Sequence, residues 1–132
     1  MDKMKLFFAS LFFLFFVLSC QKADNNGDLG GFWKLMEVES VANGSKNDLR
    51  QRSYFMSIQL ELMQLRGGDS HFARFQHSGD SLFVQMIGGN AEETLLQSFG
   101  MNGQEQRFCV KKLNRKSLIL QSDFSILRFK KF

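Results

Sequence analysis

The sequence predicts an all-β fold: an eight-stranded antiparallel up-and-down barrel, preceded by a signal peptide and a short tether. Glycine and asparagine interrupt the chain at regular intervals, and the eight segments between them have the length of short strands joined by turns. Apolar and polar residues alternate with period two in the longest segment, as in a strand with one buried face. The 132 residues contain no proline, so every strand keeps all its hydrogen-bond donors.

The N-terminal residues have the pattern of a secretory signal peptide. Lys3 and Lys5 precede the run 6–18, which is apolar except for Ser10. Thirteen helical residues span about 20 Å, which is short of the roughly 30 Å hydrocarbon core of a bilayer. We therefore expect residues 1–19 to be a signal peptide rather than a membrane-spanning helix.

The run ends in Val17-Leu18-Ser19-Cys20, which resembles a bacterial lipobox. The resemblance implies cleavage before Cys20 and acylation of its thiol, so membrane lipid is the first expected partner. Two or three acyl chains anchor a protein firmly. The alternative is an ordinary cleaved signal that ends near a cysteine. The polar residues 20–28 are expected to form a flexible tether. Gln21 is not the aspartate that favours inner-membrane retention in enterobacterial lipoproteins, which points to the outer membrane of the cell envelope.

The remaining residues, 29–132, form one domain, because a second core would not fit in so short a chain. Its predicted strands cover 32–42, 53–66, 70–77, 81–87, 93–99, 104–113, 117–121 and 124–131, with a helical turn as the alternative for 93–99. In the second strand Leu60 lies on the apolar face, so Leu60→Ala is expected to cost about 2–5 kcal/mol of stability.

Eight antiparallel strands close into a barrel whose interior fits side chains or one small ligand, and closure removes the exposed sheet edges. The candidate lining residues, which would contact such a ligand, are Trp33, Leu35, Tyr54, Met56, Ile58, Leu60, Leu62, Phe108 and Val110.

Gly31-Phe32-Trp33, at the start of the first predicted strand, resembles the first signature of lipocalins. The resemblance implies that Trp33 plugs one end of the barrel and that a basic residue of the last strand packs on its ring, for which the candidate is Arg128. Such a cation–π contact is worth about 1 kcal/mol. With the lipobox and the closing strands, the chain resembles the lipocalin-like domains of small secreted lipoproteins of Bacteroidetes.

The residues that could carry chemistry do not form a catalytic set. Gly79-Asp80-Ser81-Leu82 resembles the nucleophile block of a lipase family, but that family needs a downstream histidine, and His71 and His77 both lie upstream. The two histidines are about 20 Å apart along a strand, too far to share one metal ion. Glu37 and Glu39 have the spacing of a solvated strand face. We expect no enzyme, metal or cofactor.

Charge and the remaining cysteine limit the partners. Residues 107–132 hold 8 basic and 1 acidic residue, whereas 20–106 hold 7 basic and 11 acidic. The basic end would either contact anionic headgroups or acidic glycans, or cover the outer faces of the last strands. Nucleic acid is not expected as a partner, because no aromatic platform alternates with the basic residues. Cys109 lies in an apolar run and is expected to be buried. The protein is expected to be a monomer.

Two functions remain open. In the first, a membrane-anchored, non-enzymatic barrel holds a small hydrophobic or amphipathic molecule inside. In the second, side chains fill the barrel and its outer surface docks a protein or glycan partner of the cell envelope. A cavity of a few hundred Å³ with an open mouth would favour the first, and a packed interior with an exposed apolar patch would favour the second.

Overall fold

The computed structural model describes residues 26–88 and 91–132. The expected signal peptide (1–19), Cys20 and the tether up to residue 25 lie outside these residues. The described chain begins with a 3₁₀ helix (Gly27–Leu29) and contains one short α-helix, α1 (Glu93–Ser98). Its strands are β1 (Gly31–Ser40), β2 (Lys46–Asp48), β3 (Phe55–Gln59), β4 (Leu62–Gly67), β5 (Asp69–Ser78), β6 (Ser81–Met86), β7 (Glu105–Leu113), β8 (Ser117–Gln121) and β9 (Ser125–Lys131).

Eight of these strands close into the predicted antiparallel barrel. Strands β3 to β9 pair in sequence order, β3 pairs with the first half of β1, and β9 pairs back along β1 from Trp33↔Lys131 to Ser40↔Ser125. The short β2 pairs with the second half of β1 and lies beside the opening between β1 and β3. The all-β fold and its up-and-down order are therefore confirmed.

The predicted strand 53–66 is two strands, β3 and β4, joined by a two-residue turn. Gln59 pairs with Leu62, and Leu60 between them has a φ of +56°, as the first position of such a turn requires. The turn changes the parity of the pattern, so β4 points Met63 and Leu65 inward. Leu60 and Leu62 are 59% and 47% exposed. The prediction that Leu60 and Leu62 line the barrel is wrong. The chain reverses at 60–61, although apolar and polar residues alternate without a break across this turn.

The segment 93–99, expected as a strand with a helical turn as the alternative, contains the helix α1. The helix ends in a complete Schellman motif: Met101 N–H donates to Leu96 O (2.8 Å) and Gly100 N–H donates to Gln97 O (3.0 Å). Gly100 has the positive φ, +65°, that this motif places on a glycine. Local hydrogen bonding and a C-terminal glycine thus stop the helix after fewer than two turns.

Two β-bulges keep charged residues out of the barrel. Between Leu35 and Glu37 the register with β9 shifts by one residue, and between Val110 and Lys112 the register with β8 does the same. Without the first bulge, Glu37 would continue the inward parity of Trp33 and Leu35. The extra residue instead turns it outward, where it pairs with Arg128.

The strand directions give the barrel two distinct ends. The Trp33 end carries the 3₁₀ helix, the turns 60–61, 79–80 and 114–116, and the last residues, 130–132. The helix end carries the connections 41–54, 87–104 and 122–124, including α1. Among the described residues, no helix is long and apolar enough to cross a membrane.

Candidate functional site

Side chains fill the barrel interior almost completely. The central void measures about 10 Å³, roughly the space that one water molecule requires. Three methionines and seven other apolar side chains surround it: Met56, Met63, Leu65, Val84, Phe99, Met101, Phe108, Leu120, Leu127 and Phe129. The interior is therefore a packed apolar core rather than an open ligand cavity.

The predicted lining residues that stay inside the barrel differ in their surroundings. Met56 and Phe108 border the void. Trp33, Leu35 and Ile58 are buried elsewhere in the same core. Tyr54 and Val110 are partly buried and pack against the core from its margin. Contact of any of these side chains with a ligand stays a prediction.

Trp33 closes one end of the barrel through contacts made by both ends of the domain. Its indole Nε1 donates to Leu29 O at 2.8 Å, which fixes the 3₁₀ helix beneath the barrel. The ammonium of Lys131 lies 4.2 Å from the centroid of the indole ring. The same ammonium donates to Asp28 O at 2.9 Å and to Gly30 O. The cation–π contact and two carbonyls hold Lys131 across the end of the barrel.

The prediction that Arg128 packs on Trp33 is wrong; Lys131 has that position. Arg128 alternates with the inward-facing Leu127 and Phe129, so it points outward and binds Glu37 Oε1 (2.8 Å) and Glu39 Oε1 (3.4 Å). Lys131 has the parity of Phe129 and pairs directly with Trp33. Strand parity was the signal in the sequence that could have identified Lys131.

The helix end is closed by a plug that sequence reasoning missed. We define the plug as Leu95, Leu96, Phe99 and Met101, all of which are buried. The Phe99 ring meets Tyr54 edge-on, with centroids 6.1 Å apart. Gly67 makes room for this contact, because a Cβ there would lie 2.5 Å from the Tyr54 ring. The spacing of Leu95, Leu96 and Phe99, one apolar helix face, was the available signal.

The connection 41–54 is held beside the plug by two local features. Leu49 is buried, and its N–H donates to Met36 O at 2.8 Å. Asp48 accepts hydrogen bonds from the side chain and the backbone N–H of Arg50. The side-chain bond and then the backbone bond lower the pKa of Asp48 from 3.8 to about 2, although the pair is exposed to solvent.

The residues considered for chemistry lie in different strands and turns of the barrel. Gly79-Asp80 forms the β5–β6 turn, and Ser81 opens β6. His71 and His77 lie six residues apart on β5; His77 is exposed, whereas His71 is half-buried and its Nε2 is buried without a hydrogen-bond partner. No group of three or more metal-ligating side chains occurs in the described part of the chain. The expected burial of Cys109 is wrong: it is exposed, because its neighbour Phe108 takes the inward position.

Apolar side chains also lie on the outside of the barrel. Phe32, Phe55 and Phe132 form a cluster, the outer aromatic cluster, with ring centroids 5.1–5.8 Å apart. Leu60, Leu62, Phe72 and Ile87 are exposed on the outer side of β3–β6 and its turns. The exterior therefore offers apolar contacts that the closed interior does not.

Comparison with known proteins agrees with this architecture. A family model described as a lipocalin-like domain matches residues 13–132. The crystal structure of a lipocalin-like protein from Bacteroides uniformis is similar, with a TM-score of 0.68 at 23% identity, over 80% of this chain and 100% of that one. An uncharacterized protein from Bacteroides eggerthii has a TM-score of 0.64 at 17% identity, over 78% and 98% of the two chains. No curated protein sequence matches.

Neither structure exceeds 25% identity, so the likeness to them concerns the fold alone. The family match covers most of the sequence, and a lipocalin-like fold suggests a binding function. The chain belongs to the family of lipocalin-like domains.

Proposed function

We propose that this protein is a non-enzymatic, lipid-anchored binding protein of the cell envelope whose side-chain-filled barrel presents its outer surface to a partner. The single observation that carries this proposal is the void of about 10 Å³ at the barrel centre. A fatty acid or any other molecule of several heavy atoms would have to displace core side chains to enter. The cost of opening a packed core opposes that entry.

Closure at both ends supports the same function. Trp33 and Lys131 seal one end, and the plug seals the other. Exposed leucine and phenylalanine side chains, by contrast, remain available on the outside. Anchoring rests on the lipobox-like sequence ending in Cys20, whose acylation would hold the barrel at a membrane.

Native mass spectrometry of the full-length protein, purified from its own host, tests the proposal. We expect the mass of an acylated chain that begins at Cys20, with no additional small molecule. A stoichiometric small molecule that survives purification would contradict the filled-barrel function. The Cys20→Ala variant has no thiol to acylate, so membrane extracts of that variant should lack the acylated mass.

An engineered cavity supplies the matched control for this experiment. Leu65→Ala removes a fully buried side chain at the void and should create space for a benzene-sized probe. Leu60→Ala removes an equal volume on the outside. We expect the Leu65→Ala variant alone to bind the probe, and the wild type and Leu60→Ala to leave it free.

A second candidate function, binding of an apolar ligand inside the barrel, is favoured by the composition of the void. Three methionines border it, and unbranched side chains of this kind repack readily. Phe99 and Met101 belong to the plug rather than to the barrel wall. If a ligand enters here, Phe99→Ala should raise the affinity for a fluorescent apolar amine such as 1-aminoanthracene, and the wild type should already bind it saturably.

A further inference from the structure

The path of the chain fixes which end of the barrel lies nearest to Cys20. Asn26 is the first described residue, and its Nδ2 donates to Leu60 O at 2.8 Å, in the turn between β3 and β4. Cys20 precedes Asn26 by six residues, so the connecting chain reaches at most about 20 Å. A cysteine anchored in a bilayer therefore brings the Trp33 end, rather than the helix end, towards the membrane.

The same end carries exposed apolar side chains. Leu60 is 59% exposed at the tip of its turn, and Phe132 is 79% exposed beside Phe32. Phe132 belongs to the outer aromatic cluster. It follows Lys131, and its N–H donates to Phe32 O, so it lies at the edge of the Trp33 end. Aromatic and aliphatic groups in such positions are suited to the boundary between headgroups and acyl chains.

The Trp33 end also carries basic residues, together with Glu61 and Asp80 in its turns. Arg115 and Lys116 form the β7–β8 turn at the Trp33 end, and the exposed Lys130 lies next to Phe132. At the helix end, the connections 87–104 and 122–124 contain only acidic charges, Glu92, Glu93 and Asp123, whereas the connection 41–54 also contains Lys46, Arg50 and Arg52. Each basic residue close to an anionic membrane surface contributes about 1 kcal/mol to binding.

We infer that the Trp33 end is a membrane-docking surface, on which Leu60 and Phe132 enter the interface while Arg115, Lys116 and Lys130 contact anionic headgroups. This inference rests on the anchoring of Cys20 in the proposed function and adds the orientation of the barrel. The bilayer is thus a partner of the folded domain as well as of the acyl chains. The helix end, with its plug, faces away from the membrane.

Quenching by brominated lipids tests the orientation. The acylated full-length chain is reconstituted into vesicles of phosphatidylcholine with phosphatidylglycerol, with and without bromine on the acyl chains. The variants are Leu60→Trp and Phe132→Trp at the docking surface, and Val41→Trp as the matched control, since Val41 is 43% exposed at the helix end. Trp33 is buried in all variants and provides the constant background.

We expect brominated lipid to reduce the emission of Leu60→Trp and Phe132→Trp and to leave that of Val41→Trp at the wild-type level. Equal quenching at both ends, or none at position 60, overturns the inference, and quenching of Val41→Trp alone reverses the orientation. The absence of quenching of Leu60→Trp in vesicles, together with burial of the side chain at position 60 in native envelopes, would overturn the inference and identify a glycan or protein as the partner of this surface.

Two further measurements separate the causes of failure. Co-sedimentation of the chain with the vesicles reports anchoring independently of orientation, so its absence would count against the proposed function itself. In vesicles of phosphatidylcholine alone, or after replacement of Arg115, Lys116 and Lys130 by glutamine, quenching at position 60 should decrease while co-sedimentation persists. Unchanged quenching would show that Arg115, Lys116 and Lys130 do not contribute to the contact with the membrane.

Discussion

At the scale of single residues, Trp33 and Lys131 show how one contact joins the two ends of the domain. The indole is fully buried, and its only polar atom is satisfied by Leu29 O. Lys131 covers the ring and donates to two carbonyls of the N-terminal segment. A lysine is suited to this place because its long apolar stem lies along the barrel while its ammonium reaches the carbonyl groups.

Lys131→Met should therefore destabilise the domain by about 1–2 kcal/mol, through loss of the cation–π contact and of hydrogen bonds to the ammonium. The neighbouring Lys130→Met, which changes an exposed side chain, is the control and should stay within about 0.5 kcal/mol of the wild type. Urea unfolding followed by circular dichroism measures both. Arg128→Met should leave the emission maximum of Trp33 unchanged. A shift in that variant would mean that Arg128, and not only Lys131, contacts the Trp33 ring.

Leu60 provides a second residue-scale prediction, because it is exposed and has a positive φ. Leu60→Ala should be nearly neutral, in contrast to the 2–5 kcal/mol expected from the sequence pattern. Leu60→Gly should stabilise the domain by about 1 kcal/mol, since a side chain in the left-handed region costs about that much. Leu65→Ala, inside the barrel, should cost about 2–5 kcal/mol. Equal effects of Leu60→Ala and Leu65→Ala in urea melts would place both residues in the core.

At the scale of elements, the sequence predicts most strands but fails where a local turn interrupts a regular pattern. Strands near β1 and β5 to β9 are recognisable because turn residues separate them: glycine or asparagine in most cases, and Ser122-Asp123 between β8 and β9. The β3–β4 turn contains Leu60-Glu61, with neither glycine nor asparagine, so alternation continues across it. Strand β2 has three exposed residues and no apolar pattern from which to predict it.

The candidate site follows the same rule. The place of Trp33 at one end of the barrel was implied by the resemblance of Gly31-Phe32-Trp33 to the lipocalin signature, and Met56 and Phe108 could be predicted from strand parity. The plug could not be inferred from strand alternation, because its residues follow helical spacing and fill the barrel from one end. Parity in the last strand separates Lys131 from Arg128, but the pairing of Lys131 with Trp33 depends on the register between β1 and β9, which is a long-range property of the closed barrel.

Gly100 controls how the plug is held, and its substitution tests this element. A Cβ at Gly100 would lie 3.2 Å from Leu127 and Ser125, in addition to the unfavourable φ of +65°. Gly79 has a similar φ, +56°, with open space around it. Gly79→Ala should cost about 1 kcal/mol from the backbone alone. Gly100→Ala should cost clearly more, as measured by thermal and urea unfolding; equal losses would show that the plug tolerates displacement from β9.

At the scale of the whole molecule, closure of the sheet and filling of the core reinforce each other. Each barrel strand pairs with two neighbours, and one continuous cluster of buried side chains runs from Leu29 to Phe129. The strands surround the space that their own side chains occupy, so opening one pair of strands would expose both backbone groups and core. A domain of this kind is expected to unfold in a single cooperative transition.

Trp33 offers a direct test of that cooperativity, because it contacts the N-terminal 3₁₀ helix through Leu29 and pairs with the last strand through Lys131. Trp33 emission and far-UV circular dichroism should change with the same urea midpoint. Lys131→Met should move both midpoints together, because the contact it removes contributes to the stability of the whole barrel. If Trp33 emission changed at a lower urea concentration than the far-UV signal, the Trp33 end would open by itself. The rest of the barrel, including the plug, would then stay folded.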